Sequence, residues 1–221
     1  MSEWYEGVIK ANSLKAQRLK EQSNLGERFN NRTFGNFDKH RDEKAFKTCL
    51  QYAERDDLFT MQTRSKEFNL IDALKGKDAR YRNGLILFGG YGTGKTHLAA
   101  AIANNLVDKG VSCMFGTFSD HLEKIRQEFN TDKRVYLEKL KNIPMLVIDD
   151  IGQEKKSEWT QQILYDVINY RYDHLSPVVI TTNLDVDALA NHVGGAVMSR
   201  LMEMCFIVQT AGKDMRDMRN H

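Results

Sequence analysis

Apolar and polar positions follow two rhythms along this chain. From residue 84 onward, short apolar runs alternate with longer stretches rich in helix-forming residues. The runs include Gly84-Leu85-Ile86-Leu87-Phe88, Met145-Leu146-Val147-Ile148 and Val178-Val179-Ile180. They are apolar at successive positions, as suits parallel strands buried on both faces. The pattern predicts strands near 84–89, 111–117, 144–149, 177–182 and 205–210, and helices near 94–109, 119–130, 157–174 and 185–192. Such alternation specifies an α/β fold, a five-stranded parallel sheet flanked by helices.

Upstream the rhythm is helical. In residues 3–22, Trp4, Val8, Ala11 and Leu14 are spaced by four, three and three, one apolar stripe on a polar helix. A helix of this length is marginal alone in water, so it must dock on its own domain or on a partner. Residues 23–41 are rich in Asn, Gly and charge and read as a linker anchored by Phe29, Phe34 and Phe37. Residues 42–56 and 63–75 carry apolar positions three or four apart and read as two more helices. The division is thus 1–41, helix and linker, then 42–221, the α/β domain. Only Ala211 to His221 follow the last expected strand, too few for a helical lid domain.

Composition narrows the class modestly. Lys+Arg 32 against Asp+Glu 30 gives a net charge of +2, so no global basic field announces nucleic acid, although a local patch is compatible with it. Cys49, Cys113 and Cys205 lie far apart and form no metal-binding pair, which fits reduced, buried thiols in a cytoplasmic protein. The N-terminus lacks a signal pattern, and no run of about 18 apolar residues could span a bilayer. Pro144 and Pro177 each directly precede an expected strand, where proline is tolerated.

The sharpest chemistry lies between the first expected strand and the next helix. Gly89-Gly90-Tyr91-Gly92-Thr93-Gly94-Lys95-Thr96 is a G-x-x-x-x-G-K-T phosphate loop in its required strand–loop–helix setting, running into His97. The glycines let backbone N–H groups cradle phosphate oxygens, and the helix N-terminus adds partial positive charge. Lys95 is placed to reach the β- and γ-phosphates of a nucleoside triphosphate, and Thr96 to hold Mg²⁺.

Other strand ends offer partners. The run Met145 to Ile148 ends in Asp149-Asp150. Ligands of parallel sheets sit at carboxyl ends of strands, so Asp149 is a candidate Mg²⁺ ligand through water, and Asp150 the group that orients or deprotonates the attacking water. The pair could instead make turn hydrogen bonds. Asn183, after Val178 to Thr182, is a candidate γ-phosphate or water contact, or else a cap for the helix starting near Asp185. Arg200 and Arg216 are late arginines, the kind that stabilise a transferring phosphoryl group or lie solvated on a surface.

Together, Gly89–Thr96 running into His97-Leu98-Ala99, then Ile148-Asp149-Asp150-Ile151-Gly152, Thr181-Thr182-Asn183, Ser199-Arg200-Leu201 and Arg216 resemble the AAA+ ATPases of the DnaC/DnaI helicase-loader and IstB group. The resemblance covers roughly residues 80–221, with upstream support from Gly26 to Phe34. It implies Walker A at Lys95 and Thr96, Walker B at Asp149 and Asp150, sensor 1 at Asn183, an arginine finger at Arg200 acting on the next subunit, and sensor 2 at Arg216. It also implies that helices at 119–130 and 132–141 face single-stranded DNA. Lys124, Arg126, Phe129, Lys133 and Arg134 there offer phosphate contacts and one stacking ring. Ser157 and Trp159, beside Lys155 and Lys156, fall at a second DNA-contacting turn; a solvated basic face and a core-packed Trp are the plainer readings.

Two departures matter. Tyr91 stands where relatives often carry Pro, which alters loop stiffness more than chemistry. Asp150 stands where many carry Glu, and its shorter side chain suggests slow or partner-dependent hydrolysis. No cysteine cluster marks a zinc-binding docking domain, so partner binding falls to residues 3–22 or their surroundings. The resemblance implies an ATP-dependent, self-associating loader of a hexameric replicative helicase onto single-stranded DNA. The alternatives are an IstB-like transposition helper and an ATP-switched adaptor with little hydrolysis.

Overall fold

The structure, a computed structural model, describes Leu14 and residues 17–55, 58–59, 82–129 and 135–211. Most of the helix expected over 3–22 and all of that over 63–75 lie outside the described residues, although 17–22 are helical. Five strands form one parallel sheet: β1 (Gly84–Phe88), β2 (Cys113–Thr117), β3 (Met145–Ile151), β4 (Val178–Thr182) and β5 (Cys205–Gln209). Their order is β2-β3-β4-β1-β5. All neighbouring pairs run parallel. The strands lie within two residues of their expected places, and Pro144 and Pro177 sit just before β3 and β4.

Alternation within each strand sorts the core onto two faces. Leu85, Leu87, Val147 and Val179 join one cluster; Ile86, Leu146, Ile148 and Ile180 join the other. The first face is covered by α1 (Glu27–Asn30), α2 (Glu43–Ala53) and α3 (Lys95–Asp108). The opposite face is covered by α4 (Phe118–Phe129), α5 (Val135–Asn142), α6 (Glu158–Asp173), α7 (Val186–Val193) and α8 (Gly195–Met204). The helix expected over 132–141 begins at Val135 among the described residues. All three cysteines are buried and free, as expected; burial pushes the thiols of Cys49 and Cys113 up to about 12.

The segment read as a linker is laid against the core. Phe37 is buried, and Phe29 and Phe34 pack on the α3 face. Its chain makes two short helical turns, α1 and a 3-10 turn at Phe34–Asn36. The Asn104 side chain on α3 donates to the carbonyls of Phe29 (2.9 Å) and Arg32 (2.8 Å). On the open edge of β2, Phe115 N–H donates to Ser23 O (2.8 Å), covering a strand edge that would otherwise seek another chain. Asp42 caps α2 at Ala45 N–H and also accepts from Ala211 N–H after β5 (2.7 Å).

Two features went unforeseen. Helix α8 follows α7 with only Gly194 between them, and Gly194 holds φ +89° as it ends one helix and starts the next. Arg171 of α6 is fully buried. Its guanidinium donates to the carbonyls of Leu140, Lys141, Ile143, Pro144 and Pro177, fastening the end of α5 to the entries of β3 and β4.

Candidate active site

The sheet order decides the geometry. Strand β4 lies between β1, which feeds the phosphate loop, and β3, which carries the acid pair. The polar end of β4 therefore lies between them. The loop itself is built on left-handed glycines, Gly92 at φ +69° and Gly94 at φ +96°. Gly94 is the N-cap of α3 and supplies no side-chain cap, so the first amides of α3 are left to other acceptors. A Cβ on Gly94 would lie 2.8 Å from the Phe37 ring. Lys95 is buried, and its ammonium donates to the loop carbonyls of Gly89 (2.9 Å) and Gly90 (2.7 Å). Thr93 Oγ1 meets Thr210 Oγ1 at 2.8 Å, tying the loop to the end of β5. Tyr91 is exposed at the loop, and its hydroxyl accepts from Gln153 Nε2 (3.3 Å).

The acid pair sits in a β-bulge. Ile148 pairs with Ile180 and Ile151 with Thr182, three steps on β3 against two on β4. The extra residue re-aims the strand end, as bulges beside sites do. Asp150 holds φ +54°, an uncommon conformation for a residue with a side chain. One hydroxyl organises both acids: Thr181 Oγ1 donates to Asp149 Oδ1 (2.5 Å) and accepts from Asp150 N–H (2.9 Å). Thr96 Oγ1 donates to the same Asp149 oxygen at 3.0 Å. Asp149 is 2% exposed, and burial, opposed by these hydrogen bonds, pushes its carboxyl up to about 6. Asn183 Nδ2 donates to Asp150 Oδ1 at 3.3 Å, while Asp185, not Asn183, caps α7.

This set fits a magnesium nucleotide. Thr96 and Asp149 place two hard oxygen donors together beside an open helix N-terminus and a lysine, the donor types such an ion and a triphosphate take. Asp150 and Asn183 stand together one strand step away. The turn beyond is braced. Glu154 accepts from Gly152 N–H (2.9 Å) and from His192 Nε2 (2.6 Å), and Lys156 reaches Asn191 O (2.6 Å).

The structure brings Lys95, Thr96, Asp149, Asp150 and Asn183 into one group. His97 was grouped with the loop from sequence. It turns instead to the upstream segment, where Nε2 lies 3.0 Å from both Thr33 O and Asn36 Oδ1. Two carbonyl acceptors make that nitrogen the protonated one. Burial holds the His97 pKa below its usual value. Arg200 lies on α8, packed against α6. Arg216, Lys133, Arg134 and the Phe129 side chain lie outside the described residues. Arg126 stacks on Trp159, its Cζ 5.0 Å from the ring centroid, and Lys124 lies 5.5 Å from the Tyr136 centroid. Trp159 also packs against the core. Ser157 is the N-cap of α6, its hydroxyl accepting from Thr160 N–H. Sequence reading gave Thr181 no role, because a Thr within an apolar run looks like ordinary strand filling.

A glycine-built phosphate loop, a bulged acid pair and an intervening polar strand end, on this sheet order, define an ATP-binding P-loop domain of the AAA+ class. A family model described as "IstB-like ATP binding protein" matches residues 13–221, and the chain belongs to that family. It is 29% identical over 231 residues to YqaM of Bacillus subtilis (strain 168), covering 97% of this chain and 67% of that protein. Over 144 residues it is 31% identical to the replicative helicase loader DnaC of Escherichia coli (strain K12), covering 64% of this chain. The chain spans only 57% of that DnaC's length. A crystal structure of the DnaC helicase loader superposes with a TM-score of 0.63 at 26% identity, covering 84% of this chain and 99% of that one. Among the described residues no helix is long and apolar enough to cross a membrane.

Proposed function

We propose that this chain hydrolyses ATP to drive the loading of a hexameric replicative helicase onto single-stranded DNA. The observation that carries the ATPase reading is the contact of Thr96 with Asp149 across the sheet, set by the Thr181 hydroxyl. Thr96 and Asp149 would hold Mg²⁺, which when bound neutralises charge on the β- and γ-phosphates. Thr181 orients the Asp149 carboxylate. Lys95 exchanges its carbonyl contacts for phosphate oxygens. Asp150 orients the attacking water and takes its proton while the bond between the γ-phosphorus and the bridging oxygen breaks, giving ADP and phosphate. Asn183 holds Asp150 for that task.

Arg200 serves the nucleotide of a second copy, and Arg216 completes the set as sensor 2, so turnover requires self-association. The shorter Asp150 keeps hydrolysis slow until a partner is engaged. Residues 1–41 form the helicase-facing part and 42–221 the ATPase. Arg126, Trp159 and Lys124 form the single-stranded DNA contact, with Ser157 beside it; Phe129 is assigned to the same contact from the sequence alone. Kinship to DnaC supports the loader reading. Membership of the IstB-like family keeps a second reading open, a transposition helper with the same ATPase core.

The test pairs an ATPase assay with pull-down of a purified hexameric replicative helicase, with and without residues 1–16, a deletion that keeps Ser23 and Leu25 on the core. Lys95-dependent turnover and helicase capture lost on the deletion are expected. ATP turnover without any helicase capture, with preference for duplex DNA, would favour the transposition helper. Tight ATP binding with no turnover would leave an ATP-switched adaptor.

A further inference from the structure

Arg200 is held in an unusual way for a cation. Its Nη1 donates to Ala196 O one helical turn back (2.9 Å). Its Cζ lies 5.2 Å from the Tyr165 ring centroid and 5.8 Å from that of Tyr172. Tyr165 and Tyr172 are seven residues apart on α6, two turns along one face. Glu203, three residues beyond Arg200 on α8, acts on the Tyr172 hydroxyl and raises its pKa. Among the described residues no carboxylate forms a salt bridge with Arg200, and its Nε has no hydrogen-bond partner.

Two aromatic rings do something a carboxylate cannot. A carboxylate would consume the N–H fork and cancel the charge. Ring faces attract the guanidinium without taking its N–H groups and, with Nη1 on Ala196 O and Nε buried, leave the Nη2 donors unspent. They also remove rotamer freedom that the long side chain would otherwise lose on meeting a phosphate. We propose that Tyr165 and Tyr172 are positioning residues that clamp Arg200 with its Nη2 end presented to a triphosphate bound by a second copy of this chain. The inference rests on the reading of Arg200 as an arginine that acts between copies.

Mixed assemblies separate the two ideas. Arg200→Ala subunits bind ATP but lack the arginine. Lys95→Ala subunits lack a working loop but supply it. Adding Lys95→Ala to Arg200→Ala is expected to restore turnover. The donor is then changed further. Lys95→Ala/Tyr165→Phe and Lys95→Ala/Tyr172→Phe keep the ring and should restore turnover equally. Lys95→Ala/Tyr165→Leu and Lys95→Ala/Tyr172→Leu should restore at least tenfold less kcat, with KM for ATP and co-sedimentation of the two species unchanged. No rescue by the plain Lys95→Ala donor overturns action between copies, and the clamp with it. Full rescue by the Leu donors overturns the clamp alone. Loss of co-sedimentation in the Leu donors assigns the tyrosines to packing and also overturns it.

Discussion

Thr181→Val removes one hydroxyl and keeps the side-chain volume. That hydroxyl donates to Asp149 at 2.5 Å and satisfies Asp150 N–H at 2.9 Å, in a residue fully buried at the end of β4. A hydrogen bond to a charged group contributes about 1.5–3 kcal/mol, and a buried N–H left unpaired costs about 1–3 kcal/mol. The combined loss is about 3 kcal/mol or more, which for a chain of this size lowers Tm by roughly 6–12 °C. Function should fall further than stability explains. Asp150 sits at φ +54°, and the amide bond to Thr181 is one of the contacts that holds it there. Released, its carboxylate leaves the neighbourhood of Asn183, and misplacement on the ångström scale costs on the order of 10²-fold in rate. Steady-state ATPase assays should therefore show kcat reduced about 10- to 100-fold with little change in KM. Thr181→Ser, which keeps the hydroxyl, should stay within about threefold of wild type, an estimate for an intact hydrogen bond. Wild-type kcat in Thr181→Val at a temperature where it remains folded would refute the argument that this hydroxyl organises the acids.

Other consequences are equally checkable. Asp149 has a folded-state pKa of about 6 against 3.8 for the free side chain, so the native state holds this proton more tightly than the unfolded chain. Stability on this account is greatest below about 4 and is lost as pH rises to 6, by about 3 kcal/mol for two units. Asp149→Asn should thus stabilise the nucleotide-free protein in urea at pH 7.5 and gain nothing at pH 4; equal gains at both would contradict the burial cause. Gly94→Ala forces a Cβ to 2.8 Å from Phe37 at φ +96°. Left-handed strain alone costs about 1–2 kcal/mol; trimming Phe37 to Leu in the same chain should recover the excess, giving a coupling of about 1 kcal/mol or more in a thermal double-mutant cycle. Arg126→Gln removes the cation stacked on Trp159, and single-stranded DNA affinity should drop about tenfold in fluorescence titrations, the scale of one stacking contact. Unchanged affinity and salt slope would move the DNA contact elsewhere.

What could be read from the sequence was local. Strands show because each is an apolar run, and the phosphate loop because its residues are contiguous. The acid pair was visible as residue types, yet the bulge that aims it depends on pairing with β4, some thirty residues later. Thr181 owes its role to that register. Helix α8 was hidden by Gly194-Gly195, which reads as a break; Gly194 instead joins two helices at φ +89°. Arg171 carried a faint signal. It continues the spacing of Leu164, Val167 and Ile168 on the buried stripe of α6. A charge there reads as an interruption until the five carbonyls at the α5 end and the two proline-led strand entries come into view.

The upstream segment and the phosphate loop share one helix. The loop ends at the N-cap of α3, and the Phe37 ring lies against Gly94 there. One residue past the loop, His97 bonds Thr33 O and meets the Phe37 ring edge-on at 5.1 Å. Two turns beyond His97, Asn104 holds the carbonyls of Phe29 and Arg32. Phe37 also stacks on Phe46 of α2. Each polar contact contributes about 0.5–1.5 kcal/mol and each aromatic pair about as much. Their combined worth, about 2.5 kcal/mol or more, is enough to carry the 1–3 kcal/mol typical of coupling between two sites. A rearrangement of the loop that moved Gly94 or His97 would therefore be felt at residues 29–37, and a pull on that segment would be felt at the loop. No further element has to be invoked to connect the chain's N-terminal part with its nucleotide site, because α3 touches both.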